Sequence, residues 1–126
     1  MASTQTVQLK SGEFTAAAVG SSETKELFSM EKGDTVLFVY TVSLATIAGG
    51  VDSTWDIGDG GDTDRYYDGV TTVGTVGAFV SGATATVPYT YTAKDTIDVI
   101  YTQNSTDGSV APGIRVVVGY VNASPA

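Results

Sequence analysis

The chain contains no cysteine and no histidine. Without thiols, disulfides and thiolate metal sites are excluded. Without imidazole, so are Ser-His-Asp and Cys-His nucleophile systems and His-ligated metals. Proline is scarce, at 3 residues, and there is 1 Trp. Bases are scarce too: Lys and Arg number 6 against 14 Asp and Glu, for a formal net charge of −8. A chain this acidic repels phosphate backbones and anionic lipid, so neither nucleic acid nor a membrane is an expected partner. No apolar run approaches the roughly 20 residues of a membrane span. The opening Met1-Ala2-Ser3-Thr4-Gln5-Thr6 has no basic region followed by an apolar one, so no secretory signal is expected.

Helix signal is also nearly missing. Ala16-Ala17-Ala18 is too short, and its neighbours Thr15, Val19 and Gly20 are poor helix residues. Residues 23–30 could make a turn or two of helix with Ser22 as N-cap. A strand over 25–30 is the better reading, because Leu27, Phe28 and Met30 run into Glu31-Lys32-Gly33-Asp34, a hairpin-type turn.

What the chain does have is alternation. Over 35–45, Val36, Phe38, Tyr40, Val42 and Leu44 fall on one face, and Leu37, Val39, Thr41 and Ser43 on the other. Residues 84–93 alternate around Pro88, which predicts an edge strand or a bulge because proline cannot donate to the ladder. Residues 96–103 put Ile97, Val99 and Tyr101 inward, with Thr96, Asp98 and Thr102 outward. Residues 114–121 are apolar on both faces. Such a strand is central, or one face meets another chain, which makes Ile114, Val116, Val117, Val118 and Tyr120 candidate interface residues.

Short strands with turns at near-regular spacing, in 126 residues, predict an all-β protein: a single-domain antiparallel β-sandwich, jelly-roll-like. Residues 1–22 would be an N-terminal arm or a first strand, and 23–126 the sandwich. Connections near 47–53 and 104–113 suit crossovers between sheets.

The densest stretch runs from Thr54 to Gly69 and holds Trp55, a Gly-rich acidic loop and the pair Tyr66-Tyr67. Three chemistries could use such a stretch. The carboxylates Asp56, Asp59, Asp62 and Asp64, with Asp68 beyond, could supply the oxygens a calcium ion wants. Their spacing fails the EF-hand pattern and no Glu closes the loop, so a solvated turn with Arg65 as local counter-ion competes with a metal site. A glycosidase pair needs two carboxylates flanked by aromatics that line a sugar cleft, and no pair here has them. Trp55, Tyr66 and Tyr67 could form an exposed platform for glycan, but a lone Trp in a small β-domain also serves as a core anchor. Adjacent tyrosines on a strand face opposite ways, so one is expected in the core and the other outside. No cofactor and no enzymatic activity are expected.

The run Ile57-Gly58-Asp59-Gly60-Gly61-Asp62-Thr63-Asp64-Arg65-Tyr66-Tyr67-Asp68-Gly69 resembles a loop common in small virion proteins of tailed phages and prophages. So does Tyr91-Thr92-Ala93-Lys94-Asp95-Thr96-Ile97-Asp98-Val99. The ending Gly113-Ile114-Arg115-Val116-Val117-Val118-Gly119-Tyr120-Val121 is similar to their closing strand. The resemblance spans roughly 25–122 and points to capsid decoration, or cement, proteins. It implies a structural bacteriophage head protein, assembled in the host cytoplasm, that binds the major capsid protein on the capsid exterior, stabilises the head and forms a homotrimer. It brings no catalytic residues. Residues 1–18 match nothing in it and could reach over a neighbouring subunit. The alternatives are a head- or tail-fibre domain that binds host surface glycan, and a calcium-stabilised β-module.

Overall fold

The computed structural model describes residues 6–15, 23–45, 54–71, 79–81, 86–102 and 113–122. Nine strands run in chain order: β1 (Gln8–Thr15), β2 (Glu23–Met30), β3 (Thr35–Ala45), β4 (Thr54–Gly58), β5 (Tyr67–Thr71), β6 (Phe79–Ser81), β7 (Tyr89–Thr90), β8 (Asp95–Thr102) and β9 (Gly113–Val121). They form two antiparallel sheets. The first has the order β1-β9-β3-β6, with β7 also on β3, and the second the order β2-β8-β4-β5.

β6 pairs with Tyr40–Val42 of β3 and β7 with Thr35–Val36, so both lie along the same edge of β3. Counted as one broken strand, they bring the molecule to two four-stranded sheets. Apart from the neighbours β4 and β5, each pairing joins strands distant in sequence, and successive strands alternate sheets from β1 to β4. This is the double Greek key of a jelly roll. Pro88 stands just before β7, on the edge where proline is tolerated.

That order changes the meaning of the turn at 31–34. The turn forms, with Asp34 N–H donating to Glu31 O at 3.0 Å, Glu31 N–H to the Asp34 carboxylate at 2.9 Å, and Gly33 at φ 91°. The strands it joins, however, lie in different sheets. It is a corner, not a hairpin, and sequence cannot separate the two because the local turn chemistry is the same.

The alternation of β3 also breaks. Its register against β9 shifts between Val36 and Phe38, a β-bulge at Leu37. Val36 is therefore inward with Val39 and Thr41, while Phe38, Tyr40 and Val42 turn to the outer face. A strict period of two places Val36 with Phe38, and the bulge separates them.

β9 is central, hydrogen-bonded to β1 over eight register pairs and to β3 on its other side. Ile114, Val116, Val118 and Tyr120 belong to the core. They face Trp55, Ile57, Ile97, Val99 and Tyr101 of the second sheet. Each such side chain is worth about 1.5–3 kcal/mol when fully buried. Val117 is on the other face but is also covered, and Gly119 beside it lies under the Phe38 ring, leaving no room for a Cβ. The expected subunit interface at Ile114, Val116, Val117, Val118 and Tyr120 is corrected accordingly: these residues are buried inside their own chain. The strand is apolar on both faces because it is central and roofed by Phe38. Within residues 1–22, expected as an N-terminal arm or a first strand, residues 8–15 form β1, which pairs with β9 along its whole length.

Candidate functional site

The three described loops 31–34, 59–66 and 91–94 meet at one end of the sandwich. Tyr91 joins them: Gly33 N–H donates to its carbonyl at 2.7 Å, its own N–H donates to Asp34 O at 2.9 Å, and its hydroxyl donates to the Asp59 carboxylate at 2.9 Å.

Asp59 is the centre of this corner and is fully buried. Burial pushes its pKa up, but the Arg65 guanidinium, the Tyr91 hydroxyl and the loop's backbone hydrogen bonding outweigh burial and leave it below the usual carboxylate range. Arg65 binds it two-handed, Nε at 2.6 Å and Nη2 at 3.1 Å. Gly61 and Asp62 N–H donate to Oδ1 at 3.0 and 2.9 Å. The loop closes through Asp59 N–H to Asp62 O and Tyr66 N–H to Ile57 O, both at 2.9 Å. Gly58 is required, because a Cβ there would run into the backbone of Asp62 and Thr63.

Arg65 in turn lies 3.9 Å over the Tyr89 ring, a cation–π contact, and its pKa is raised, first by the hydrogen bond to Asp59. The Tyr66 and Tyr91 hydroxyls share a 2.8 Å hydrogen bond, and burial pushes both up. Gly60 N–H reaches Asp95 Oδ1 at 3.0 Å, tying the loop to the start of β8.

This geometry disposes of two expectations. The carboxylates do not form a calcium cage. Asp59 is consumed by Arg65, Tyr91 and backbone donors, Asp56 accepts Gly69 N–H at 2.6 Å, and Asp62 accepts Asp64 N–H at 3.3 Å. Among the described residues no group of three or more acidic side chains could hold a metal ion. Nor do Trp55, Tyr66 and Tyr67 form an exposed platform, being 3%, 1% and 2% exposed. Trp55 packs edge-on to Phe14 at 5.7 Å and tilted against Tyr101 at 4.7 Å. Both tyrosines are inside because Tyr66 still belongs to the loop; β5, where alternation applies, begins at Tyr67. Tyr67 donates to Val39 O at 3.4 Å, and burial pushes its pKa up to about 12.

Arg65 was legible as a counter-ion. Its partner was not, because five nearby aspartates offer the same charge and only the fold selects one. The Tyr91–Asp59 contact joins residues 32 positions apart and left no local signal.

The outer face of the second sheet is a different acidic region. Register places Glu26 opposite Asp98, and Asp56 opposite Ile100. Thr96 Oγ1 donates its one proton to Asp98 at 2.6 Å and stands 3.3 Å from the Glu26 carboxylate. Desolvation and then the neighbouring Glu26, Asp95 and Asp59 charges raise the pKa of Asp98, against the Thr96 hydrogen bond.

No protein-family model matches the sequence, and no curated protein is significantly similar to it. Solved structures are. A chain in the cyanophage Pam1 capsid asymmetric unit shares the fold with a TM-score of 0.76 at 18% identity, over 94% of this chain and 86% of that one. A chain in the acidic stable capsid of Helicobacter pylori bacteriophage KHP30 gives 0.69 at 13% identity, over 94% and 89%. A chain in the capsid of Ralstonia phage GP4 gives 0.69 at 14%, over 95% and 86%. At these identities the likeness is one of fold: this chain is a jelly-roll β-sandwich similar to chains found in phage capsids.

Proposed function

We propose that the protein is a structural component of a bacteriophage head, a decoration or cement protein that sits on the capsid exterior, binds the major capsid protein and stabilises the shell. The observation that carries this is the match of nearly the whole jelly roll, at 94% of this chain and 86% of the other, to a chain of a phage capsid asymmetric unit. The likeness covers a domain of similar extent, not a fragment of a larger fold.

The chemistry agrees. The one dense polar cluster among the described residues is spent on the fold: Asp59, Arg65, Tyr66 and Tyr91 satisfy one another in the interior. A non-enzymatic role agrees with that arrangement. The net charge of −8 suits a surface kept away from nucleic acid.

The test is co-sedimentation of the purified protein with phage shells that lack it. Saturable binding to the outside of the shell, with a raised shell melting temperature, is expected. Shells that never retain the protein, across a range of salt concentrations, would remove the proposal.

A further inference from the structure

Two aromatic rings lie flat on the outer face of the first sheet. A Cβ on Gly119 would fall against Cε1, Cζ and Cε2 of Phe38 together. A point that close to three consecutive ring atoms is beneath the face of the ring, not off its rim, so Phe38 is laid over the glycine. Its far side is open, the residue being 37% exposed. The Tyr40 ring is parallel to it within 8°, with centroids 5.8 Å apart. That separation is close to the roughly 6.7 Å between alternate residues of a strand, so the displacement runs along β3. The two rings therefore sit side by side as one platform. Register puts Gly119 between Phe38 and Leu9, and Val117 between Tyr40 and Ser11. At the next pair along, Arg115 Nη2 donates to Glu13 Oε2 at 2.9 Å, so the charges on this face cancel.

We propose that this platform binds a neutral glycan, a chain of pyranose units with equatorial hydroxyls, which stack the C–H faces of their rings on Phe38 and Tyr40. Such a sugar is flat, with C–H groups on its faces and hydroxyls around its edge. The π-face of an aromatic ring is negative and attracts C–H groups laid against it. The edge hydroxyls would meet Ser11, the Arg115 N–H groups and the Glu13 carboxylate, which keeps acceptor sites beyond those given to Arg115. Shape and charge together select this ligand. A protein partner draws its affinity from side chains seated in pockets, and a flat pair of rings offers none. A nucleic-acid base would stack as well, but its phosphates, like the charges of an anionic glycan, are repelled by a chain of net charge −8. The proposal goes beyond the head role and does not depend on it.

The experiment is a nuclear magnetic resonance titration of the isotopically labelled full chain with cellohexaose and with chitohexaose, and with heparin as the anionic control. Saturable shifts at the Leu9, Phe38, Tyr40 and Gly119 amides are expected with at least one of the neutral sugars, and none with heparin. Phe38→Ala, with its fold verified by circular dichroism, should bind roughly ten-fold more weakly, as the loss of a stacking partner predicts. Tyr40→Ala should weaken binding in the same direction and decides the matter if Phe38→Ala does not fold. Thr24→Ala, on the second sheet, should bind as the wild type does. The proposal is overturned if neither neutral sugar gives saturable shifts, if the shifts fall on the second sheet, or if folded Phe38→Ala and Tyr40→Ala bind normally. Binding of heparin as tight as that of the neutral sugars overturns it too. A Phe38→Ala that loses shell binding, where the wild type binds neither sugar, gives the face to the shell and leaves the head role standing.

Discussion

Asp59 and Asp98 are the same residue type in one acidic chain, and they do opposite things. Asp59 is sealed in the corner of three loops, held by Arg65, Tyr91 and backbone N–H groups, and its pKa is lowered. Asp98 stands on the outer face of the second sheet beside Glu26, and its pKa is raised. Desolvation opposes the charged form in both. Only Asp59 has a cation and enough donors to overcome it. Net charge alone therefore hides two populations: a carboxylate that holds the fold, and carboxylates that the fold tolerates on one face.

The sharpest way to break that contrast is Asp59→Asn. It leaves the Arg65 guanidinium partly buried against Tyr89 without its counter-charge, and should cost about 3–5 kcal/mol of unfolding free energy by denaturant titration. Adding Arg65→Met to it should recover part of that loss, because the two residues act as a pair. Tyr91→Phe is the next test. It removes the hydroxyl donor to Asp59 and the partner of the Tyr66 hydroxyl, and should cost about 1–3 kcal/mol in the same titration.

Acid should separate the two carboxylates by sign. Asp59, with a lowered pKa, contributes stability that is complete above the usual carboxylate range and is lost as pH falls through its folded value. Asp98, with a raised pKa, carries its cost at neutral pH and is relieved as pH falls through that higher value. Melting temperature against pH should therefore hold or rise slightly on mild acidification and then drop steeply. The Asp59→Asn variant should lose most of the steep drop. The smallest effect is expected from Asp98→Asn, a gain of about 0.5 kcal/mol near neutral pH that shrinks in high salt. A loss of stability there would mean that the Thr96 hydrogen bond outweighs the repulsion.

Much of the fold could be read in advance. The inward set Ile97, Val99 and Tyr101 of β8 and the two-sided apolar β9 follow from period-two patterning, and both are buried as that patterning requires. Two features escaped it. The bulge at Leu37 reverses the faces of β3, and a bulge is set by cross-strand register that no local pattern records. The corner at 31–34 has the residues of a hairpin turn, and which sheet each strand joins is decided by long-range pairing. At the corner site, residue types were legible but partners were not. The two stretches that resemble virion proteins, 57–69 and 91–99, meet there through Tyr91–Asp59 and Gly60–Asp95. The residues that carry the resemblance to virion proteins are thus those that lock one end of its jelly roll.

The head role itself is tested most directly by a cryo-electron microscopy reconstruction of phage particles that carry this chain. Density for two four-stranded sheets seated on the outer surface of the shell, in contact with the major capsid protein, is the expected result. Particles whose shell exterior is bare, with the jelly roll found inside the head or not on the head at all, would contradict it.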